Sequence, residues 1–358
     1  MTGVQFIDVV RGWANRHFAD EEAVYLVALG VVTALLFATV GRMLAPCLVA
    51  LVIAFMLQGF VGVLTRLGIR PRWAVLVTFG LFVGGMVAAV ILVLPLVLQQ
   101  MQALLTAMPA IVDQLNDAAR HLPARFPGLI TNEQVTGWTQ LAQDALGQFG
   151  QWLLHATIAQ LPSLIGLAVY LVLVPTLVFF FLKDKDVLIA LVLRLLPDRR
   201  PLLNRIGAEM SEQIANYVRG KFIEVLLLGG VTYVAFIAFG MHYAVLLAVL
   251  VGLSAIVPIV GAVLVTVPVV AVALLQWGGS WEFGYLVLAH LVIQAIDGYV
   301  VVPLLFSEAV DLHPVLIIVA VLFFGGVWGF WGIFFAIPLA TLVKAVYRAW
   351  PRQAPQTQ

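Results

Sequence analysis

The hydrophobic and polar positions of this chain alternate in long blocks rather than in the short periods of a water-soluble protein. The apolar blocks lie at 23–40, 44–64, 73–98, 163–182, 222–239, 244–276, 281–306 and 315–343. Most of them approach or exceed the about 20 residues that an α-helix needs to cross a lipid bilayer. The pattern therefore predicts an all-α, polytopic integral membrane protein built as a helical bundle.

One block has an awkward length for a membrane helix. Between His242 and Glu282, 39 residues pass without an Asp, Glu, Lys, Arg or His, which is too long for one crossing and short for two. Ser254, Pro258 and Gly261 lie in its middle, and irregular backbone at membrane depth is tolerated only inside protein or against a polar cavity. We therefore expect a re-entrant or broken hairpin whose tip, from Ser254 to Gly261, borders a solute path.

The last apolar block repeats this feature. No ionisable side chain occurs from Pro314 to Val343, and small residues again interrupt the helix. The interrupting residues are Gly325, Gly329, Gly332 and Pro338. Paired Gly/Pro-interrupted segments are the best sequence indication of a transporter's binding site, so the two segments are predicted to form the gate of a path. The alternative is that these glycines only allow close helix packing.

The block between these two segments carries a polar face. His290, Gln294 and Asp297 are spaced i, i+4 and i+7, so one side of a helix presents all three. An unpaired carboxylate near the bilayer centre costs at least about 2–3 kcal/mol on insertion scales, so this face should point into the bundle or toward water. We expect Asp297 to bind a cation or carry a proton, with His290 as a relay and Gln294 as a neutral hydrogen-bonding group. Alternatively, Asp297 caps a local break, because Gly298 follows it.

Three charged residues lie at the entrance to the fifth apolar block. Arg219 and Lys221 are expected to anchor a helix at the cytoplasmic membrane interface. Glu224 lies one helical turn further inside, where it would pair with one of them or join Asp297 and His290 in a proton or cation relay.

Composition narrows the functional classes. The chain is 63% hydrophobic and 10% charged, with a mean hydropathy of +1.07, whereas soluble domains carry about 25% charged residues. A formal net charge of +1 gives no basic footprint for a nucleic acid. The single cysteine, Cys47, excludes an internal disulfide and a cysteine-based metal site. The sequence also lacks the phosphate-binding and zinc-binding motifs of common catalytic sites, so no cofactor is expected and transport would be driven by a gradient.

Charge also predicts the orientation in the membrane. Lysine and arginine concentrate in the connections 65–72 and 183–221 and in the tail, whereas the connection 99–160 holds only Arg120 and Arg125. Because basic loops stay in the cytoplasm, both termini are predicted to be cytoplasmic and 99–160 to lie outside. The expected order is an interfacial helix at 1–22, three spans within 23–98, outer amphipathic helices at 99–160, a fourth span at 161–182, a cytoplasmic helical connection at 183–221, a transport core at 222–345 and a cytoplasmic tail at 346–358. The apolar stripes of the outer helices must be buried on the membrane surface, on each other or on a neighbouring subunit. We expect subunit contact, and therefore a homo-oligomer.

Several motifs resemble those of a known family. The first is Val257-Pro258-Ile259-Val260-Gly261, the second runs from Gln294-Ala295-Ile296-Asp297-Gly298 through Pro303 to Leu312-His313-Pro314, and the third runs from Gly325-Gly326 through Gly329 and Gly332 to Ile337-Pro338-Leu339-Ala340. Their order and spacing, from about residue 25 to 345, are similar to those of the AI-2E family of bacterial membrane proteins, also called PerM-like permeases. The family commonly has Asn where Ser254 stands.

The resemblance implies a transporter of the bacterial cytoplasmic membrane with about eight membrane-crossing or re-entrant elements. It also implies that Pro303, His313 and Pro314 belong to the substrate path together with the two broken segments. Characterised members are implicated in export of the quorum signal autoinducer-2 or in sodium(lithium)/proton antiport. We therefore expect a secondary-active exporter of a small polar solute, with antiport of a monovalent cation and a proton as the alternative.

Two other functional classes are open at this point. A membrane-embedded hydrolase would use Ser254 as a nucleophile and His290 as its base, which requires the two side chains to lie within hydrogen-bond distance. The residues around Ser254 fit a helix break of small residues equally well, and the motif lacks a following glycine, so no enzymatic activity is expected. A non-transporting membrane scaffold would be favoured if the purified protein moved no candidate solute in liposomes.

Overall fold

The computed structural model describes residues 21–120, 164–194, 196–197, 200–258, 260–306 and 312–349, together with parts of 131–151. The secondary structure of these residues is helical and includes no β-strand. Among the described residues, five helical segments are long and apolar enough to cross a membrane: Met43–Arg66, Pro71–Ala107, Leu203–Ala238, Val260–Trp277 and Trp281–Phe306. The predicted all-α, polytopic membrane class is confirmed.

The α-helices whose bounds the structure describes are numbered in chain order. They are α1 (Glu21–Arg66), α2 (Pro71–Ala88), α3 (Leu94–Arg120), α4 (Leu164–Lys183), α5 (Lys185–Leu193), α6 (Pro201–Ala238), α7 (Ala244–Ser254), α8 (Val260–Trp277), α9 (Trp281–Ile296), α10 (Val302–Phe306), α11 (Pro314–Trp328), α12 (Phe330–Phe334) and α13 (Ala336–Ala349). A π-helical turn at Ala89–Val93 joins α2 to α3, and a second at Asp297–Val301 joins α9 to α10.

The chain forms two compact units. The first unit consists of 1–76, 173–219 and 306–358, and the second consists of 77–172 and 220–305. Each unit holds one of the two segments that the sequence predicts to be broken.

The apolar core of the second unit surrounds the first broken segment. Most buried members of this core lie on α7 and α8, with others on α3, α6 and α9. The short helix α7 buries Ala244, Leu246, Leu247, Ala248, Val251 and Gly252, so it contacts protein on most sides. The predicted break is confirmed, since α7 ends at Ser254 and α8 begins at Val260. Irregular backbone at membrane depth needs such a protein surrounding.

Side-chain amides hold the other end of α7. The Leu246 N–H donates to Gln100 Oε1 on α3, at 2.8 Å, and so satisfies one of the backbone donors that a helix start leaves open. Gln276, at the end of α8, accepts from the His242 N–H and donates to the Gly240 carbonyl, both at 2.7 Å. These bonds connect the start of α7 to two neighbouring helices.

Glycine also allows α6 and α7 to approach closely. A Cβ atom on Gly252 would lie 2.8 Å from the Val225 carbonyl oxygen and 3.1 Å from Gly229 Cα. The backbones of the two helices therefore meet where both residues lack a side chain, as small residues permit in membrane bundles.

The second broken segment belongs to the first unit. Helix α11 ends at Trp328, and Gly329 adopts a φ of 59°, a left-handed value that glycine adopts without steric cost. Helix α12 then runs back against α11, where Gly332 packs on the Phe324 carbonyl and Gly325 packs beside Ile333. This predicted break is confirmed as well.

Three elements differ from the sequence-based expectation. The blocks 23–40 and 44–64 form one continuous helix, α1, of 46 residues, because Arg42 between them is a good helix former. A straight crossing by α1 would place Glu21 and Arg66 on opposite sides of the membrane, unlike the predicted pair of spans. Helix α3 continues well beyond position 98, where the third span was predicted to end. Helix α5 is mainly apolar with no buried residue, although it lies in the predicted cytoplasmic connection 183–221. Residues 1–20 of the predicted interfacial helix, 350–358 of the predicted tail and much of the predicted outer helices after 120 lie outside the described residues.

Candidate functional site

The candidate site begins with the backbone of the helical segment that carries Asp297. Asp297 has helical dihedral angles (φ −58°, ψ −56°) and begins the π-helical turn, so the segment continues to Phe306 without a break. The alternative that Asp297 caps a helix break is therefore not what the structure shows. Single π turns inside α-helices are rare and occur frequently at functional sites.

A buried ion pair lies on α6. Lys221 Nζ and Glu224 Oε2 are 2.8 Å apart, and the two residues are only 5% and 2% exposed. The expected pairing of Glu224 with Lys221 or Arg219 is confirmed for Lys221, whereas the expectation that Lys221 is an interfacial anchor does not fit its burial. Two charges can remain in such an environment only when they are paired and hydrogen-bonded.

Asp297 lies within electrostatic range of both members of this pair. Its Oδ1 atom is buried and accepts no hydrogen bond from the residues that the structure describes. If both acids are ionised, the three groups carry one positive and two negative charges. The cluster then has a surplus negative charge, which a proton or a cation would neutralise.

His290 lies two helical turns before Asp297 on α9 and is fully buried. Its Nε2 atom is 3.1 Å from Thr266 Oγ1 on α8, and its ring centroid is 6.2 Å from that of Phe236 on α6. Among the described residues, its Nδ1 atom has no hydrogen-bond partner, and the same is true of the buried Gln294 Nε2 atom one turn further along. The face predicted from spacing therefore ranges from fully buried at His290 to half-buried at Gln294 and Asp297, and it is incompletely satisfied.

Polar side chains of α6, α8 and α9 form a cluster that we call the polar seam. Its members are Lys221, Glu224 and Thr232 on α6, Thr266 on α8, and His290, Gln294 and Asp297 on α9. Phe236 is near His290, whereas Lys221 and Glu224 are near Asp297, so α6 and α9 run antiparallel along the seam.

Sequence reasoning missed the two threonines of the seam. Thr232 is fully buried and its hydroxyl has no partner, and Thr266 bonds to His290. Thr232 follows Glu224 by eight residues and so lies on the same helix face, which is a signal that the sequence does contain. The pairing of Thr266 with His290 depends on the packing of α8 on α9 and has no counterpart in spacing.

The tip of the first broken segment is built from short backbone contacts. The Ser254 hydroxyl donates to the Val251 carbonyl at 2.7 Å, and Gly261 packs on the Ser254 carbonyl. Pro258 lies in the turn between the two helices. The Ser254 hydroxyl bonds to the Val251 carbonyl, and the His290 Nε2 atom contacts Thr266 Oγ1. Among the described residues, Ser254 and His290 form no bond with each other, so the pair that a serine hydrolase requires is not formed there.

The remaining predicted site residues have mainly structural contacts. His313 Nδ1 accepts from the Val315 N–H at 3.3 Å, and Pro314 begins α11. Arg219 is exposed, and its side chain lies along Gly59 on α1, 3.3 Å from where a Cβ would stand. Pro303 is exposed on α10 and Pro338 is buried on α13. Their expected roles in a substrate path stay predictions.

A multi-pass membrane protein with interrupted helices and a polar interior has the features of a membrane transport protein. Comparison with known proteins agrees with that class and supplies the family. The sequence model of the family described as "AI-2E family transporter" matches residues 25–352. This chain therefore belongs to the AI-2E transporter family, as its motifs predicted.

Curated relatives match over nearly the whole chain. A protein of Escherichia coli K12 named "Putative permease PerM" is 43% identical over 345 residues, covering 96% of this chain and 98% of the relative. The Bacillus subtilis protein named "Putative transport protein YueF" is 24% identical over 314 residues, covering 86% of this chain and 84% of the relative. These names agree with a transporter and leave the solute and the energy source to be proposed.

Proposed function

We propose that this protein is a secondary-active transporter of the bacterial inner membrane and that the polar seam forms part of its path. Its proposed activity is export of a small polar solute, such as the quorum signal autoinducer-2. The observation that carries the proposal is the single face of α9 on which His290 Nδ1, Gln294 Nε2 and Asp297 Oδ1 are all buried without a partner.

Buried polar atoms without a hydrogen-bond partner reduce the stability of the folded protein, and a purely structural role does not explain why this face retains them. Leaving a buried donor or acceptor without a partner costs about 1–3 kcal/mol, and lipid offers no hydrogen bonds to compensate. Water or a passing polar solute would supply the missing partners. Polar and ionisable groups at membrane depth commonly mark such pathways.

A second candidate is sodium(lithium)/proton antiport, favoured by the surplus carboxylate beside the buried ion pair. Asp297 is near both Lys221 and Glu224, and a proton or a monovalent cation would restore neutrality. In this version Asp297 holds the ion, and Glu224 and His290 belong to the relay.

The first test replaces Asp297. Purified protein in proteoliposomes is assayed for efflux of autoinducer-2 and, separately, for proton movement driven by sodium or lithium. Asp297→Asn is expected to lower the supported flux about tenfold or more, because a lost interaction with a charged group is worth about 1.5–3 kcal/mol. Glu282→Gln is the matched control, since Glu282 is an exposed acid at the start of the same helix.

The outcomes separate the candidates. Unchanged sodium-driven flux in Asp297→Asn would exclude antiport centred on this residue, and intact solute efflux would remove Asp297 from the solute path. If wild-type protein moves none of these solutes or ions, both candidates fail and a membrane scaffold becomes the better description.

We also propose that 183–221 and the carboxyl-terminal tail are cytoplasmic, that 99–160 lies outside and that the protein is a homo-oligomer. The support is the concentration of lysine and arginine in the first two regions and the apolar stripes of the outer helices. We do not extend this proposal to the amino terminus. A single crossing by the continuous helix α1 would place Glu21 on the side of the membrane opposite to Arg66.

A further inference from the structure

Thr266 lies within hydrogen-bond distance of one ring nitrogen of His290. Thr266 Oγ1 lies 2.7 Å from the Ala262 carbonyl oxygen and 3.1 Å from His290 Nε2. A hydroxyl has a single proton to donate, and a carbonyl oxygen can only accept. The geometry points to a hydroxyl proton directed at Ala262 and to an Nε2–H that His290 donates to the threonine oxygen.

This assignment makes His290 Nδ1 an acceptor. A neutral imidazole has one N–H, so Nδ1 carries a free lone pair. His290 is 0% exposed and Nδ1 accepts no hydrogen bond in the described part of the chain. Because nearly all buried polar atoms have a partner, this atom is missing a group that donates to it.

Helix geometry places two further groups, each without a partner among the described residues, within about one turn of His290 and its neighbour Phe236. The Thr232 hydroxyl is 0% exposed and has no partner. Thr232 is one helical turn from Phe236, whose ring is near His290, and the antiparallel direction of α6 and α9 puts it on the side of Gln294. Gln294 Nε2 is a buried donor without an acceptor. This part of the seam thus offers an acceptor at His290 Nδ1, a donor at Gln294 Nε2 and the hydroxyl of Thr232.

The chemistry of these three groups selects one kind of occupant. An ammonium group would satisfy Nδ1 but could accept nothing from the Gln294 amide, and a metal cation would face the positive end of that N–H₂ group. A hydroxyl both donates and accepts, so it matches all three.

We propose that His290, Thr232 and Gln294 form a buried binding position for a hydroxyl group. The hydroxyl donates to His290 Nδ1 and accepts from Gln294 or Thr232, and Thr266 is the positioning residue that keeps Nδ1 free to accept. The hydroxyl belongs either to a water molecule or to a transported solute. Only the second source rests on the proposed function, because a bound water would complete the site in a protein of any activity.

The protonation pattern can be read directly. Full-length protein labelled with ¹⁵N-histidine is studied in liposomes by solid-state NMR, and the His290 signals are assigned by their loss in His290→Gln. Wild type and Thr266→Ser are expected to show a protonated Nε2 and an unprotonated Nδ1. Thr266→Val removes the acceptor and is expected to populate the opposite tautomer. A protonated Nδ1 in wild type, or an unchanged tautomer in Thr266→Val, would overturn the proposal.

Two further arms identify the source of the hydroxyl. Magnetisation transfer from water to Nδ1 in the absence of solute indicates a bound water, and a shift of Nδ1 on adding erythritol, a small polyol used as the probe, indicates a solute position. Thr232→Val is expected to weaken whichever signal appears, and Thr232→Ser to retain it. Absence of both signals in wild type would overturn the binding position.

Transport supplies an independent readout of the positioning role. Thr266→Val is expected to lower the flux of the proteoliposome assay about tenfold, and Thr266→Ser to remain within about twofold of wild type. Normal flux in a Thr266→Val protein whose tautomer has reversed would overturn the role of Thr266 in transport. If wild type shows no flux, the proposed function fails, while the NMR results still decide the site.

Discussion

Lys221 and Glu224 are 2.8 Å apart on the buried side of α6, so each neutralises the other. A buried pair of this kind rarely adds net stability, because taking both charges out of water costs about as much as their attraction returns. In the proposed function, the pair would set the local charge that an incoming proton or cation meets.

The pair can be tested by removing one partner or both. Glu224→Gln removes the carboxylate that bonds to Lys221 at 2.8 Å and leaves the more distant Asp297 to balance its charge. This variant is expected to destabilise the protein by about 3–5 kcal/mol, because a buried pair has lost one partner. The double variant Lys221→Met with Glu224→Leu is expected to recover most of that stability, because apolar groups of similar volume need no partner.

Thermal unfolding followed by tryptophan fluorescence measures this difference, and the proteoliposome assay measures transport. We expect the double variant to be stable but inactive. A double variant with wild-type flux would show that the ion pair has no part in transport.

At the residue scale, the sequence predicted the charged and amide members of the seam and missed the threonines. Ionisable residues are rare within membrane spans, so their spacing alone indicated a shared face. Threonine is common there and bonds to its own helix, as Thr266 does to Ala262. Its second bond, to His290, arises from packing between helices and leaves no trace in the pattern.

At the element scale, the broken segments were predictable because glycine and proline interrupt stretches of unsuitable length. Both breaks occur where expected, after Ser254 and at Gly329. The π turns were not predictable, since Ala89–Val93 and Asp297–Val301 have no local composition that distinguishes them from α-helix. The continuity of α1 was missed because a single arginine does not end a helix.

The crossing of α6 and α7 gives a test at this scale. Gly252→Ala would place a Cβ 2.8 Å from the Val225 carbonyl oxygen, so the two backbones must separate. We expect a loss of about 1–3 kcal/mol, as for other overpacked sites, with reduced transport because α7 carries the tip of the broken segment. Thermal unfolding and flux are measured together.

The matched control is Gly230→Ala on α6. A Cβ at Gly230 meets no atom within 4 Å, and alanine is the better helix former by about 1 kcal/mol. This variant is expected to be as stable as wild type or slightly more stable. Equal stability of Gly252→Ala and Gly230→Ala would contradict the close crossing.

At the scale of the whole molecule, the solvent explains why the fold class was predictable. In lipid every backbone group must be satisfied internally, so long apolar blocks have few alternatives to helices. The same argument gives no rule for grouping helices into units, because lipid-facing and protein-facing apolar residues have similar composition. The positions of the charged residues predict the orientation in the membrane.

Orientation is tested by single-cysteine labelling of sealed membrane vesicles. Cys47 is the chain's single cysteine, so Cys47→Ala provides a background without thiols. Leu67→Cys and Arg194→Cys lie in basic connections and Leu141→Cys lies in 99–160, and all three positions are exposed. A membrane-impermeant maleimide is expected to label Leu67→Cys and Arg194→Cys only from the cytoplasmic side, and Leu141→Cys only from the outside, because basic connections stay in the cytoplasm. Disrupted vesicles, in which all three must react, control for accessibility, and labelling of Leu67→Cys and Leu141→Cys from the same side would overturn the orientation.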